Sequence, residues 1–135
     1  MVAHAEGFQT GFWRVSNALP DTQFRWVSLD LEPVMELRRR LLPDSARVTN
    51  LAQSALDYTW MDKVDSCAAV FITAEGLLMY PQPNQAMELI SQCAKRFAGG
   101  QMFFDLPPTI VKRVAPRVCV PPGTTAFRRC HSACR

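Results

Sequence analysis

Acidic side chains are missing from the end of this chain. From Leu106 onward there are six Lys and Arg and no Asp or Glu, whereas nine basic and twelve acidic residues precede that point. The formal net charge of +3 therefore describes neither part, because the body is mildly acidic and the tail is basic. Five of the ten prolines and three of the five cysteines also fall in the tail, so the composition breaks near Pro107. No apolar run approaches the roughly 18 to 20 residues that cross a bilayer. No charged start with an apolar segment precedes a small-residue cleavage site either, so the expected location is cytoplasmic, without a membrane partner. Paired C-x-x-C units are lacking. Cys119, Cys130, His131 and Cys134 stand close together, but their spacing matches no established zinc site, and no metal is expected. Five cysteines in a cytoplasmic chain also argue against a disulfide framework. Glycine is scarce, at six residues. The turn Ala5 to Thr10 has one glycine, where a dinucleotide-binding G-x-G-x-x-G needs three to lay a pyrophosphate against a helix start.

What is present is enough for one domain. Apolar residues make up 48% of 135 positions, which suffices to bury a core. The stretch Ala68 to Tyr80, AAVFITAEGLLMY, organises the rest. Ala69 to Thr73 has the length and β-branched content of a strand buried on both faces, as in a parallel sheet. Glu75 and Gly76 then stand at its carboxyl end, where such sheets hold ligands. Pro81 and Pro83 end the extended run and open a helix, on which Ala86, Leu89, Ile90, Cys93 and Phe97 form one apolar stripe that covers the strand.

Other elements follow the same alternation. Met1 to Ala5 is too short to judge as a strand. Phe24 to Leu29 reads as a strand ending in Asp30. Pro33 opens a helix with Val34, Leu37 and Leu41 on a shared face, and Pro43 closes it. Arg38, Arg39 and Arg40 point in three directions on that helix and read as a solvated face with partly packed stems. Val48 to Leu51 is a weaker strand, Trp60 to Val64 a helical turn, and Gln101 to Phe104 a last strand after a Gly99-Gly100 stop. Strands alternating with helices imply a parallel sheet flanked by helices. Asp30, Asp57, Glu75 and Asp105 each follow an apolar segment and would gather along one rim.

A rim with a glycine turn after the first strand and a carboxylate after the second suits an adenosine, since the carboxylate accepts ribose hydroxyls. The words AEGFQTGFWR at Ala5 to Arg14, SLDLEPVMELRRRLLPD at Ser28 to Asp44, SALD with Trp60, and AEGLLMY at Ala74 to Tyr80 go further. In that order they resemble the leucine carboxyl methyltransferase-like family of S-adenosylmethionine (SAM)-dependent O-methyltransferases. The resemblance covers residues 1–108. It implies a Rossmann-like class I methyltransferase fold, here a partial parallel sheet lacking the N-terminal lid and the last two strands. It also implies SAM as cofactor and methyl transfer to a carboxylate or hydroxyl of a small-molecule or polyketide-like acceptor.

By the same resemblance Glu6 and Gly7 line the methionyl side, with Arg14 as the remaining basic residue for the cofactor carboxylate. Asp30 holds the ribose, and Ala55, Leu56 and Asp57 frame the adenine. Glu75 and Gly76 face the methionyl amino group, and Tyr80 lies near the acceptor. Ala5 stands where the family usually has glycine. Local alternatives remain for two of these residues, since Asp30 could cap the helix at Pro33 and Asp57 could cap the turn at Trp60.

Residues 109–135 match nothing in the family and read as a disordered extension or a reading-frame change. The expectation is a truncated domain whose activity in isolation is doubtful. The alternative is a non-catalytic remnant or interaction module that pairs its exposed sheet edge with another copy. A nucleic-acid partner ranks last, because six positive charges give only unspecific, salt-sensitive attraction.

Overall fold

A computed structural model describes residues 1–65 and 69–105. The expectations for the tail, including Cys119, Cys130, His131 and Cys134, lie outside the described residues, as does Ala68. Among the described residues, five strands form one sheet: β1 (Val2–His4), β2 (Trp26–Asp30), β3 (Val48–Ala52), β4 (Phe71–Ala74) and β5 (Gln101–Phe104). All pairs are parallel, in the order β3-β2-β1-β4-β5. This is a doubly wound order, in which the chain changes direction between β1 and β4. Three helices, α1 (Gly11–Ala18), α2 (Glu32–Leu41) and α3 (Pro83–Arg96), and a 3-10 turn at Tyr58–Lys63 join the strands. The expected parallel sheet flanked by helices is therefore present.

The two faces of the sheet are covered unequally. Val2, Val27, Leu29, Ile72, Ala74 and Met102 pack against Ala86, Leu89 and Cys93 of α3 and against Trp60. The apolar stripe on α3 is buried as its spacing requires, and Pro83 opens the helix, with a capping box between Gln82 and Gln85. On the other face Ala3 and Trp26 pack under Phe12 of α1. That cover stops short of the far strands. Phe71 is 39% exposed and Phe103 46%, so among the described residues the strand expected to be buried on both faces is covered on one.

One open point is filled and one expectation is corrected. Met1 to Ala5 does contain a strand, and it is the central one, since β1 pairs with both β2 and β4. Helix α2 turns a different face inward. Leu37 is 44% and Leu41 67% exposed, while Met35 and Arg38 are buried. Arg38 is not part of a solvated face. Its charge is matched inside the protein, and that pairing rather than the leucine spacing sets the rotation of the helix.

Candidate functional site

The tripeptide Ala-Glu-Gly occurs twice, at Ala5 to Gly7 after β1 and at Ala74 to Gly76 at the end of β4. Both glycines adopt left-handed backbone, with φ of 55° at Gly7 and 66° at Gly76. Each also donates its N–H to an aspartate at the carboxyl end of the strand outside it. Gly7 reaches Asp30 Oδ2 at 2.9 Å, and Gly76 reaches Asp105 Oδ1 at 2.7 Å. The gap between β1 and β4 is thus flanked by two turns of the same build. Ala5 also has a positive φ, 50°, which disfavours any side chain and accounts physically for a preference for glycine there.

On the α3 side of the sheet lies a cavity of about 450 Å³. Its lining brings together Asp30, Ala55, Leu56 and Tyr80, four of the expected site residues, with Ala5, Gln53, Ser54, Leu29, Leu77 and Leu89. Asp30 sits at the end of β2 and accepts N–H groups from Gly7 and, at 2.8 Å, from Leu31. A carboxylate has about four acceptor positions, so two remain for hydroxyl groups. Tyr80 is 80% exposed at the mouth. The wall at Ala55 is held from behind, because the buried Trp60 indole N–H donates to Ala55 O at 3.1 Å. His4 meets Trp60 edge-on, with ring centroids 4.6 Å apart. Burial lowers the His4 imidazole from the usual 6.5 to about 4.

The other expected residues do not line this cavity. Asp57 is exposed and caps the 3-10 turn, accepting from Thr59 N at 3.2 Å and Thr59 Oγ1 at 2.8 Å. The Thr59 hydroxyl is the main cause that lowers its carboxyl below the ordinary value. Glu6, Arg14 and Glu75 line a second space of about 410 Å³, between α1 and the sheet on the opposite face. Gly7 and Gly76 lie in the turns above the strands, tied to Asp30 and Asp105.

Glu6 faces inward. One carboxylate oxygen, Oε2, accepts from Trp26 Nε1 at 3.0 Å and from the Ser28 hydroxyl, and pairs with Arg38 Nη2 at 2.9 Å. Arg38 is 1% exposed and also donates from Nη1 to Gly7 O at 2.7 Å and Gln9 O at 2.9 Å. Sequence reasoning missed this residue. The available signal was its position three after Met35, which places both on one helical face.

The arrangement defines a Rossmann-like α/β protein with a nucleoside-sized cavity at the carboxyl ends of its strands. The comparisons with known proteins agree with that class. Over 87 residues, 64% of this chain, it is 30% identical to the tetracenomycin polyketide synthesis O-methyltransferase TcmP of Streptomyces glaucescens. The match covers 32% of that protein, so the chain spans about a third of the curated relative's length. Among solved structures it is similar to a pericyclic reaction enzyme, to LepI in complex with SAM, and to a LepI variant with SAH and a substrate analogue. Each of the three gives a TM-score of 0.58 at 17% identity and covers 79% of this chain and 27% of the other. These likenesses show the fold. No family model matches the chain. Among the described residues no helix is long and apolar enough to cross a membrane, and no cluster of potential metal ligands occurs.

Proposed function

We propose that the cavity on the α3 side binds the adenosyl part of SAM, and that the chain serves methyl transfer to a carboxylate or hydroxyl of a small, polyketide-like acceptor. The observation that carries this reading is Asp30. Its carboxylate stands at the end of β2, fixed by two backbone N–H groups, in a cavity whose Leu29, Leu56, Leu77 and Leu89 offer apolar contact to a purine. About 450 Å³ lies within the usual range for small-molecule sites, roughly 300 to 1,000 Å³. The sequence likeness to an O-methyltransferase and the shared fold with LepI bound to SAM support SAM-dependent methyl transfer in general. The leucine carboxyl methyltransferase-like branch and the acceptor belong to this proposal and rest on the sequence words.

SAM supplies an electrophilic methyl group. The chain's own task is to orient an acceptor near Tyr80 and exclude water. A carboxylate acceptor is already ionised and requires no general base. For the cofactor, the residues fit in part. Asp30, Ala55 and Leu56 suit a nucleoside, while Asp57 serves its own turn and Glu6 is engaged with Arg38.

A second reading is a non-catalytic methyltransferase-fold module that associates with another polypeptide, including a second copy. The exposure of Phe71 and Phe103, on a side of β4 and β5 that no described residue covers fully, favours it. Calorimetric titration with SAM and SAH separates the two. Binding at micromolar concentration that is lost in Asp30→Ala supports the first reading, and a folded protein that takes up neither nucleoside rejects it.

A further inference from the structure

We propose that Arg38 is a positioning residue for the turn that meets the cofactor, with Glu6 acting through it rather than as a ligand contact. This rests on the SAM reading of the site. The guanidinium joins three points of one short segment: the Glu6 carboxylate, Gly7 O and Gln9 O. From the opposite direction Asp30 holds Gly7 N. Gly7 is therefore gripped at both its N–H and its carbonyl, one by the β2 end and one by α2. Its left-handed conformation would otherwise be one of several open to a glycine.

The shape of the guanidinium matters here. Arginine presents five N–H donors in a rigid plane, so one side chain can serve a carboxylate and two carbonyls together, which a lysine ammonium does with far less directional control. The Glu6 carboxylate supplies the compensating charge and is itself oriented by Trp26 and Ser28. Glu6 and Glu75 occupy matching places in the two Ala-Glu-Gly turns, yet only Glu6 is buried, and Glu75 is left exposed at the rim. The first turn is a frame, whereas among the described residues the Glu75 carboxylate of the second makes no ion pair.

A test must separate positioning from simple charge balance, because removing Arg38 alone strands a buried carboxylate. The double variant Glu6→Gln/Arg38→Met removes both charges, a change that folds commonly tolerate. Unfolding by urea confirms the fold, and affinities are then measured for SAM and for adenosine alone. Adenosine occupies the Asp30 side, whereas SAM also reaches the turn. The expected result is a loss of roughly tenfold or more for SAM with less than about threefold for adenosine, as fits the loss of a preorganised turn. Arg38→Lys should recover stability relative to Arg38→Met while still binding SAM weakly. Unchanged SAM affinity in the folded double variant overturns the proposal, as does an equal loss for both ligands. A wild-type protein that binds neither ligand overturns the SAM reading itself, and the role of Arg38 with it.

Discussion

Replacing His4 by leucine should remove a large part of the protein's sensitivity to mild acid. His4 is 2% exposed at the end of β1, and neither ring nitrogen has a hydrogen-bond partner among the described residues. Such a site holds the neutral ring and excludes the imidazolium, which is why the pKa falls from 6.5 to about 4. The unfolded chain protonates below its ordinary value while the folded one does not. Stability from this group is thus complete above pH 6.5 and falls as pH drops toward 4. Each unit of pKa difference is worth about 1.4 kcal/mol, so most of the effect, on the order of 2 to 3 kcal/mol, is lost by pH 4.5. For a domain of this size that is a large fraction of the total, since stabilities run at about 5 to 15 kcal/mol. Carboxylates titrate in the same range, so the informative quantity is the difference between wild type and His4→Leu. Urea unfolding followed by tryptophan fluorescence at pH 7.5 and pH 4.5 gives it. The stability of the variant relative to wild type should rise by roughly 2 to 3 kcal/mol between the two pH values. Parallel pH profiles for the two proteins would refute the reasoning, and would mean that His4 finds a partner or water when protonated.

Ala5→Gly should stabilise the fold by about 1 kcal/mol in thermal unfolding, because glycine carries no Cβ penalty at a φ of 50°. Gly11→Ala should cost about 1 to 3 kcal/mol, since the new Cβ would stand 2.8 Å from Trp26 Cζ2 on a buried face, and a melting temperature within error of wild type contradicts this. Cys93 is buried and its thiol is pushed up to about 12 by that burial, so it should resist alkylation at pH 8 in the folded protein and react once urea is added, as peptide mapping will show. Asp30→Ala should weaken SAM binding by about tenfold or more and lower stability by about 1 to 2 kcal/mol, because the Gly7 and Leu31 N–H groups lose their acceptor.

The elements legible in the sequence were those specified locally. For α3 the three-and-four spacing of Ala86, Leu89 and Cys93 and the proline at its start suffice, and β5 falls at Gln101–Phe104 as expected. Helix α1 was not legible, because its cap residue Thr10 makes no side-chain capping bond and its first residue is glycine. The strand β1 has only three residues, one of them histidine, and its central place depends on pairing with β2 and β4 rather than on its own propensity. Arg38 was misread for a related reason. Three consecutive arginines look solvated until Glu6, far away in the chain, is brought against one of them. At the site, Asp30, Ala55, Leu56 and Tyr80 do share one cavity. Asp57 also follows a short-range rule, an aspartate bonding the N–H two residues ahead, through Oδ1.

The two Ala-Glu-Gly turns matter together. Each is tethered outward, one toward β2 and one toward β5, so neither leans across the cleft that separates them. A visitor arriving at that cleft finds the doorway already propped from both jambs. Its entry should therefore be quick and should leave the backbone where it was, with little ordering penalty to overcome.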